Sequence, residues 1–306
     1  MRKILKWAGI ILGGVLFILF CAVFLMNASY NRRLNKTYDI QPVSLKLPQD
    51  SMNLVEGKKW VNNLCTHCHG NQLEGTKFLN DPAFGVLIAP NLTPAGVTKA
   101  YRDADWVRAI RHGVGLGGRP LFIMPANEFH SLSEEHLSQI IAYLKTVPPV
   151  KKDWEDSKFN LFAKVLVQAG VFGKAIPAEY LDHGAKLKTS PAKKDSRVYG
   201  AYLVQVSGCR ACHGEQLNGA ASHDPNGPAG PNLTAAGNLA KWGEAGFIKT
   251  IRTGTTPEGR KLDQKFMPWQ NIAQQDDEAL KAIYTYLMAQ PKLETPKNLA
   301  KVKSEK

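Results

Sequence analysis

Two stretches of the chain, "CTHCHGNQLEG" at residues 65–75 and "CRACHGEQLNG" at residues 209–219, share the order of residues that decides the fold. Each stretch begins with two cysteines separated by two residues, and a histidine follows the second cysteine directly. A glycine, a glutamine, a leucine and a second glycine then occupy the same places in both copies. The copies lie 144 residues apart (209 − 65), so the chain contains an internal repeat.

A cysteine pair followed at once by histidine predicts the attachment of haem c, because two thioether bonds hold the porphyrin edge and the histidine can reach the iron. The predicted attachment cysteines and iron-binding histidines are Cys65, Cys68 and His69 in the first copy and Cys209, Cys212 and His213 in the second. The other histidine of the first stretch, His67, faces Ala211 in the second copy, so we predict a surface side chain for it. The repeat therefore predicts two covalently bound haem c groups with their iron.

Two other uses of the paired cysteines have to be weighed. A zinc ion would want four ligands, and the two pairs could supply one four-cysteine site, but that leaves the histidine after each pair unexplained. A thioredoxin-like redox pair is expected within a βαβ pattern, which the sequence around either pair lacks. Haem attachment accounts for both histidines and is the preferred interpretation.

The similarity between the copies continues well beyond the cysteines. Matching segments follow in the same order: "PNLT" at 90–93 and 231–234, "WVRAIRHG" at 106–113 against "FIKTIRTG" at 247–254, and Met-Pro at 124–125 and 267–268. The offset between the copies falls to 141 at "PNLT" (231 − 90) and returns to 143 at Met-Pro (267 − 124). Small changes of loop length around a shared order of landmarks indicate a duplicated domain.

Apolar residues in the last segment of each copy recur at the spacing of an amphipathic helix. The residues at i, i+3, i+4 and i+7 are Leu137, Ile140, Ile141 and Leu144 in the first copy and Leu280, Ile283, Tyr284 and Leu287 in the second. Ser133 and Asp276 stand where each helix would need an N-terminal cap. A helical pattern also precedes each cysteine pair, and no run alternates convincingly as a strand. The predicted fold class is all-α.

The residue on the far side of each iron sets the chemistry of a haem site. After His213 the second copy offers His223, Met267 and Met288. His223 follows too closely to pass around the porphyrin, and Met288 lies among core leucines of the closing helix, which favours Met267. Met124 holds the matching place in the first copy. Three histidines of the first copy have no counterparts in the second: His112, His130 and His136.

The two predicted methionine ligands lie 55 residues (124 − 69) and 54 residues (267 − 213) past the histidines of their own copies. A thioether sulfur on the iron favours the reduced state and raises the reduction potential relative to ligation by two histidines. With both axial positions filled, neither iron keeps an open site for oxygen, peroxide or substrate. The pattern predicts electron transfer rather than catalysis, and it disfavours a di-haem peroxidase, which needs one open or displaceable ligand.

The N-terminus carries twenty uncharged residues, "WAGIILGGVLFILFCAVFLM" at residues 7–26. That length suits a membrane span and exceeds the apolar core of a signal peptide, so we predict an uncleaved single-pass anchor. Arg2, Lys3 and Lys6 precede the span and favour a cytoplasmic N-terminus. The net charge of +13 comes from scattered basic residues, which predicts a surface that steers an acidic redox partner and no binding of nucleic acid.

On the C-x-x-C-H, PNLT and Met-Pro motifs in this order, the chain resembles two class I cytochrome c domains in tandem. The resemblance implies an all-α fold in which the first and last helices cross and one haem edge is exposed. It also implies supporting roles around the haems for Pro90, Pro231, Arg119 and Arg260. The proline carbonyls would orient the iron-binding histidines, and the arginines would neutralise haem propionates.

Two segments of the first copy, "FGVLIAPNLTPAGV" and "WVRAIRHG", are similar to cytochrome c subunits that accept electrons from bacterial membrane-associated dehydrogenases. Those subunits often carry three haem modules, where this chain carries two. An anchor followed by two haem domains also resembles a cytochrome subunit of haem–copper terminal oxidases. The resemblance thus implies a redox protein partner, either a dehydrogenase or a terminal oxidase.

The motifs divide the chain into five predicted parts. They are a transmembrane anchor at residues 1–30, a cytochrome c domain at 45–150, a connecting segment at 151–196, a second cytochrome c domain at 197–292 and a basic tail at 293–306. The connecting segment contains the apolar stretch Phe159–Phe172, for which we predict a helix packed on the haem domains. Contact with the membrane surface is the alternative for this stretch.

Together these features predict a membrane-anchored di-haem cytochrome that passes single electrons between redox partners of a respiratory chain, as a carrier and not an enzyme. Because haem is attached to cysteines outside the cytoplasm, we expect the haem domains in the periplasm, held to the bacterial inner (cytoplasmic) membrane. Two alternatives stay open: a fixed cytochrome subunit of a dehydrogenase or terminal oxidase complex, and a di-haem peroxidase.

Overall fold

The computed structural model describes residues 2–222 and 227–300 of the chain. His223, weighed above as an iron ligand, and residues 301–306 of the predicted basic tail lie outside the described residues. The chain begins with one long helix, α1 (Arg2–Asn35), whose apolar residues are exposed along most of its length. Within the described residues, α1 is the one helix that is long and apolar enough to cross a membrane.

The first repeat folds around two helices that pack across each other. Its elements are α2 (Ser51–Leu64), α3 (Thr66–His69), β1 (Thr76–Asp81), β2 (Gly85–Ala89), α4 (Asp103–His112), α5 (Ala126–Phe129) and α6 (Glu134–Leu144). Asp50 caps α2 by accepting the backbone N–H of Asn53 at 3.0 Å, and Ser133 caps α6 as predicted. α2 and α6 approach so closely that a Cβ atom at Gly57 would overlap the carbonyl oxygen of Gln139.

The connecting segment adds β3 (Lys158–Phe159) and α7 (Leu161–Gln168), and the second repeat then builds the same helical frame. Its elements are α8 (Ser196–Val206), α9 (Cys209–His213), α10 (Leu239–Thr253), α11 (Trp269–Ile272) and α12 (Asp277–Met288), followed by the short α13 (Lys297–Ala300). α8 and α12 cross as α2 and α6 do, since a Cβ atom at Gly200 would overlap the carbonyl oxygen of Ala282. Asp276 caps α12, as predicted, by accepting the N–H of Ala279 at 2.7 Å.

A small antiparallel sheet is the one feature of this fold that the sequence reasoning missed. β1 and β2 form a hairpin, and β3 from the connecting segment pairs with β2, which gives the order β1-β2-β3. Neither long strand alternates regularly, because β1 has an irregularity between Lys77 and Leu79 and β2 is a continuous apolar run. The rest of both domains is helical, as predicted.

The hydrophobic core extends through both domains, and the predicted apolar faces of the closing helices line it. The buried residues of those faces are Leu137, Ile140, Ile141 and Leu144 in α6 and Leu280, Ile283 and Leu287 in α12. Tyr284, the remaining member of the predicted face, is half-buried against this core. Each domain thus places its cysteine motif at the end of its first helix, against a rigid crossing of two helices.

Candidate haem sites and the interface between them

The first candidate site is built on the turn that follows α2. The backbone N–H of Cys65 donates to the carbonyl of Val61 at 2.8 Å, and α3 then carries Cys68 and His69. The imidazole of His69 is buried, and its Nδ1 donates to the carbonyl oxygen of Pro90 at 2.8 Å. Since a carbonyl only accepts, this bond places the proton on Nδ1 and leaves the lone pair of Nε2 for a metal ion.

The second site repeats this geometry in α9. His213 is 6% exposed, against 7% for His69, and its Nδ1 donates to the carbonyl oxygen of Pro231 at 2.9 Å. Burial lowers the pKa of both imidazoles, so both are in the neutral form that binds a metal ion. The glycine after each histidine has a φ of 85°, a left-handed conformation that explains why both copies carry glycine there.

The cysteines of the two motifs fit covalent attachment better than the alternatives. Burial raises the pKa of Cys65 and Cys209 to about 12 and that of Cys68 to about 11. A thioredoxin-like pair needs a thiol of lowered pKa, so these buried thiols disfavour it. Within residues 2–222 and 227–300, no three His, Cys, Asp or Glu side chains cluster as a metal site, which disfavours a four-cysteine zinc site.

The two predicted methionine ligands lie in equivalent loops, half-buried against the hydrophobic core. Met124 and Met267 each precede a proline that begins a short helix, α5 or α11. The N–H of Ile123, a residue with a φ of 60°, donates to the carbonyl of Ala175 in the connecting segment at 2.7 Å. In the second domain the N–H of Met267 donates to the carbonyl of Asp263 in its own loop at 2.9 Å. Both loops hold a thioether sulfur, a donor that haem iron accepts.

The two arginines implied by the resemblance sit at equivalent turns. The carbonyl of Arg119 accepts the N–H of Gly115 at 2.8 Å, and that of Arg260 accepts the N–H of Thr256 at 2.9 Å. Both side chains are exposed, so both guanidinium groups are able to reach an anionic group such as a propionate.

Residues set aside as ligands have other surroundings. His67 is exposed, as predicted, with its ring 6.4 Å from that of Phe78 between centroids. Met288 lies at the end of α12 and packs on the hydrophobic core, as its place among leucines predicts. Neither position resembles the buried, carbonyl-bonded surroundings of the proximal histidines.

Of the histidines without counterparts, His112 joins the connecting segment to the first domain, whereas Nδ1 of His136 lies 2.7 Å from the hydroxyl of Tyr202 in the second domain. Nε2 of His183 donates to the carbonyl of Ala178 at 3.0 Å, so its Nδ1 accepts from Nδ1 of the buried His112 at 3.1 Å. His130 donates from Nδ1 to the carbonyl of Arg111 at 3.1 Å. Burial foremost, and then the nearby His183 and Arg111, lower the pKa of His112 to about 4. His112 acts here as a neutral hydrogen-bonding group.

The two domains meet beside their cysteine motifs. Asn63 near the end of α2 and Ser207 just after α8 occupy the same position of the repeat (207 − 63 = 144), and Nδ2 of Asn63 donates to Oγ of Ser207 at 3.4 Å. A contact between a residue and its own equivalent marks a local two-fold axis. Cys65 and Cys209 follow two residues later, so both attachment turns lie next to this axis.

The loop of each methionine also reaches the motif of the other domain. Nδ2 of Asn271 in α11 donates to the carbonyl of Asn62 at 2.7 Å and to the hydroxyl of Thr66, between the first two cysteines, at 2.9 Å. Glu128 in α5 holds the equivalent position (271 − 128 = 143), and its Cγ lies 3.3 Å from where a Cβ would stand on Gly208. Gly208 directly precedes the second motif. The arrangement is reciprocal, as a two-fold axis requires.

Known families match both halves of the chain. Residues 198–291 match the family described as "Cytochrome c", and residues 53–144 match the family described as "Cytochrome C oxidase, cbb3-type, subunit III". Both halves of the chain are cytochrome c domains. The tandem cytochrome therefore binds haem c and carries electrons, which confirms the fold class and the function predicted from its motifs.

Two curated relatives confirm the predicted similarity to dehydrogenase subunits. The tandem cytochrome is 24% identical to the fructose dehydrogenase cytochrome subunit of Gluconobacter japonicus over 248 residues, which cover 74% of the chain and 50% of the relative. It is 29% identical to the gluconate 2-dehydrogenase cytochrome c subunit of Pantoea cypripedii over 164 residues, 49% of the chain and 35% of the relative. The chain thus spans half the length of the first relative and 35% of the second.

The residues that join the domains were not predicted from the sequence. One signal for them exists in the repeat: Asn63 and Ser207 are both short polar residues at the end of a helix, two positions before the first cysteine of a C-x-x-C-H motif. When both copies carry a polar residue at such a place, that residue is a candidate for a contact between the two domains.

Proposed function

We propose that the tandem cytochrome is a membrane-anchored di-haem carrier that passes single electrons between redox partners through two haems held side by side. The two irons would be bound by His69 with Met124 and by His213 with Met267. The two haems would be attached through Cys65, Cys68, Cys209 and Cys212. The domain boundaries that go with this proposal are 1–30, 45–150, 151–196, 197–292 and 293–306.

The observation that carries the proposal is the hydrogen bond between Asn63 and Ser207. Because these residues are repeat equivalents, the contact places both cysteine turns at one interface. Electron transfer through protein slows steeply with distance, so two haems attached at a shared interface exchange electrons faster than haems on separately tethered domains. The arrangement supports one route through both haems.

Haem iron supplies the one-electron chemistry, and the residues of this chain tune it. The carbonyls of Pro90 and Pro231 hold each imidazole in one orientation and raise the basicity of its Nε2. The sulfurs of Met124 and Met267 would favour the reduced iron and close the sixth position to peroxide. Arg119 and Arg260 would offset the negative charge of the propionates.

The redox partner that we propose is a dehydrogenase, which the similarity to the fructose and gluconate 2-dehydrogenase cytochrome subunits supports. A terminal oxidase is the second candidate, because the first domain matches a family described as an oxidase subunit. Extraction in mild detergent followed by native mass spectrometry separates the two. Co-migration with a flavin, quinoprotein or molybdenum subunit supports a dehydrogenase, and co-migration with a haem–copper subunit supports an oxidase.

The cellular place that we propose follows from α1. Its apolar length suits a single crossing of the cytoplasmic membrane, and the basic residues before the span favour a cytoplasmic N-terminus. The haem domains would then lie in the periplasm of a bacterium, where haem c is attached to cysteine thiols.

Spectroscopy and haem counting test the proposal directly. The oxidised protein is expected to be low-spin, with two haems per chain and the weak far-red band of methionine sulfur on ferric iron. Met124→His and Met267→His should each remove half of that band and lower the potential of one haem, and Met288→His is the matched control that should change neither. High-spin haem in the resting protein, or one haem per chain, contradicts the proposal.

A further inference from the structure

The C-terminal end of the membrane anchor α1 packs against the connecting segment. α1 continues without a break beyond its apolar stretch, and its last turns are held by the connecting segment. Arg33 donates from Nη2 and Nε to the carboxylate of Glu179 at 2.6 and 2.9 Å and from Nη1 to the side-chain oxygen of Gln168 at 3.2 Å. Tyr30 is buried one turn earlier, with the ammonium of Lys164 over its ring at 5.5 Å. The direction of α1 is thereby fixed relative to α7.

α7 contacts α1 at Ser29, Tyr30 and Arg33, one to two turns past Met26, where the apolar stretch of α1 ends. Cys21, Val23 and Met26 of α1 are half-buried, whereas Phe24 and Leu25 between them are exposed, so one face of the last apolar turns is covered. α7 is the helix that packs on α1. Since the apolar stretch ends at Met26, a bilayer crossed by α1 would have its surface at the height of α7.

The outer side of α7 and of the turn after it is apolar and uncovered. The exposed fractions are 51% for Leu161, 53% for Phe162 and 59% for Val171. The ring of Phe162 contacts that of Phe84 in the β1–β2 turn, at 5.8 Å between centroids, and the ring of Phe172 contacts the same Phe84 at 6.0 Å. Leu161, Phe162 and Val171 are thus exposed to solvent in the isolated chain.

The charge around this surface suits a lipid surface. Lys164 lies within α7 and Lys174 follows it, and the ammonium of Lys174 stands 6.0 Å from the ring of Tyr180, which is 53% exposed. Apolar and aromatic side chains flanked by lysines are typical of segments that lie in the interface of a bilayer, with lysines at anionic headgroups. A water-facing loop gains nothing from exposing three large apolar residues together.

We propose that α7 and the turn after it, residues 161–174, form a membrane-surface platform in the same bilayer that α1 crosses. Leu161, Phe162 and Val171 insert among the upper acyl chains, and Lys164 and Lys174 lie at anionic phosphate groups. The platform rests on the anchoring role proposed above for α1. It gives the first haem domain a fixed height and orientation on the membrane, with the second domain attached to it through the two-fold interface.

Lipid photocrosslinking of the full-length holoprotein in nanodiscs tests the platform. The photoreactive amino acid p-benzoyl-phenylalanine replaces Phe162 or Val171 in bilayers of phosphatidylglycerol and phosphatidylcholine, and mass spectrometry detects lipid adducts. The positive control is the same probe at Leu19 in the span (55% exposed), and the negative control is the probe at Val198 in the second domain (53% exposed). An intact haem c spectrum shows that each variant has folded.

We expect lipid adducts at positions 162, 171 and 19 and none at 198. Adducts at 19 without adducts at 162 and 171 overturn the platform and leave the anchor standing. The absence of lipid adducts at position 19 would show that α1 does not cross the bilayer, and it would overturn the platform as well. Crosslinks from 162 to a second copy of the chain instead of lipid also overturn the proposal, because they show a protein interface. Lys174→Glu should lower adduct formation at 162 about fivefold in bilayers that contain phosphatidylglycerol.

Discussion

The two haem domains share a fold, but one face that is covered in the first domain is open in the second. In the first domain Arg111 is 3% exposed and donates to the carbonyls of His130 at 2.6 Å and Ala185 at 2.7 Å. Ala185 belongs to the connecting segment, which lies over this face. The arginine therefore ties the closing loop of the first domain to the chain that follows it.

In the second domain Arg252 holds the equivalent position (252 − 111 = 141) and points to water. Its guanidinium reaches the carbonyl of Ala273, the equivalent of His130, and the carboxylate of Asp277 at 2.6 Å. Nothing in the described part of the chain plays the role of the connecting segment here. Both domains therefore have the arginine and its hydrogen bond to the equivalent carbonyl, of His130 or Ala273. In the first domain the connecting segment buries that bond, and in the second domain the bond is exposed to solvent.

The largest expected effect falls on what the domains have in common, the crossing of their first and last helices. Gly57→Ala and Gly200→Ala each force a Cβ onto a backbone carbonyl, so each should lower the free energy of unfolding of its own domain by about 3 kcal/mol. Hydrogen exchange of the α6 and α12 peptides measures the two losses separately. Gly14→Ala, where no atom lies within 4 Å, is the control and should change neither. A loss in one domain alone would show that the crossings are not equivalent.

The next-largest effect should distinguish the two domains at their equivalent arginines, Arg111 and Arg252. Arg111→Ala leaves buried carbonyls without a donor and should cost about 2–3 kcal/mol in the first domain. Arg252→Ala removes exposed contacts and should cost under about 1 kcal/mol in the second. Denaturant titration of the holoprotein, with exchange read out for each domain, measures both. Equal losses would mean that the connecting segment contributes nothing to the stability of the first domain.

Acid should act on the first domain more than on the second, because His112 has Thr253 as its equivalent (253 − 112 = 141). Burial and the facing groups His183, Arg111, His130 and Arg108 lower the pKa of His112 from 6.5 to about 4. The unfolded chain takes up a proton at higher pH than the folded one, so stability present above pH 6.5 is lost as the pH falls towards 4.

The loss attributable to this imidazole should be about 3 kcal/mol in the free energy of unfolding. His112→Gln should remove that part of the pH dependence while the second domain keeps its own profile. Unfolding titrations at several pH values, read for each domain by hydrogen exchange, give the comparison. An unchanged slope in the variant would assign the acid sensitivity to other groups.

The smallest effect concerns the interface that relates the domains. Asn271→Ala removes the hydrogen bonds to Asn62 and Thr66 and should slow electron exchange between the haems several-fold, with little change in either potential. Gln274→Ala is the matched control, because within the described residues the side-chain amide of Gln274 donates only to the carbonyl of Gln270 in its own turn, at 3.2 Å. Flash reduction of the Met267→His background, in which the two haems differ in potential, reports the rate. A rate equal to that of the control would remove this contact from the route.

The parts of the site that were predicted are those that depend on neighbours in sequence. The C-x-x-C-H order places cysteines and histidine on one helical turn. The bond from each histidine to the proline of a PNLT segment spans 21 and 18 residues, and it was expected from the family resemblance instead of from a local pattern. The caps Ser133 and Asp276 were predicted because a cap and its helix are adjacent. The strand pairing of β2 with β3 was missed, because it joins residues that no local pattern relates.

The sequence by itself determined that the chain carries two cytochrome c domains, where each motif starts, and which histidine of each motif is favoured to bind iron. Those conclusions follow because the motif is local and the repeat supplies its own comparison. Only the tertiary structure decided that Asn63 meets Ser207, that Asn271 reaches Thr66 across 205 residues of sequence, and that the connecting segment buries Arg111 while the equivalent Arg252 stays exposed. These contacts depend on how the two folded domains pack against each other. The spacing of residues along the sequence does not indicate that packing.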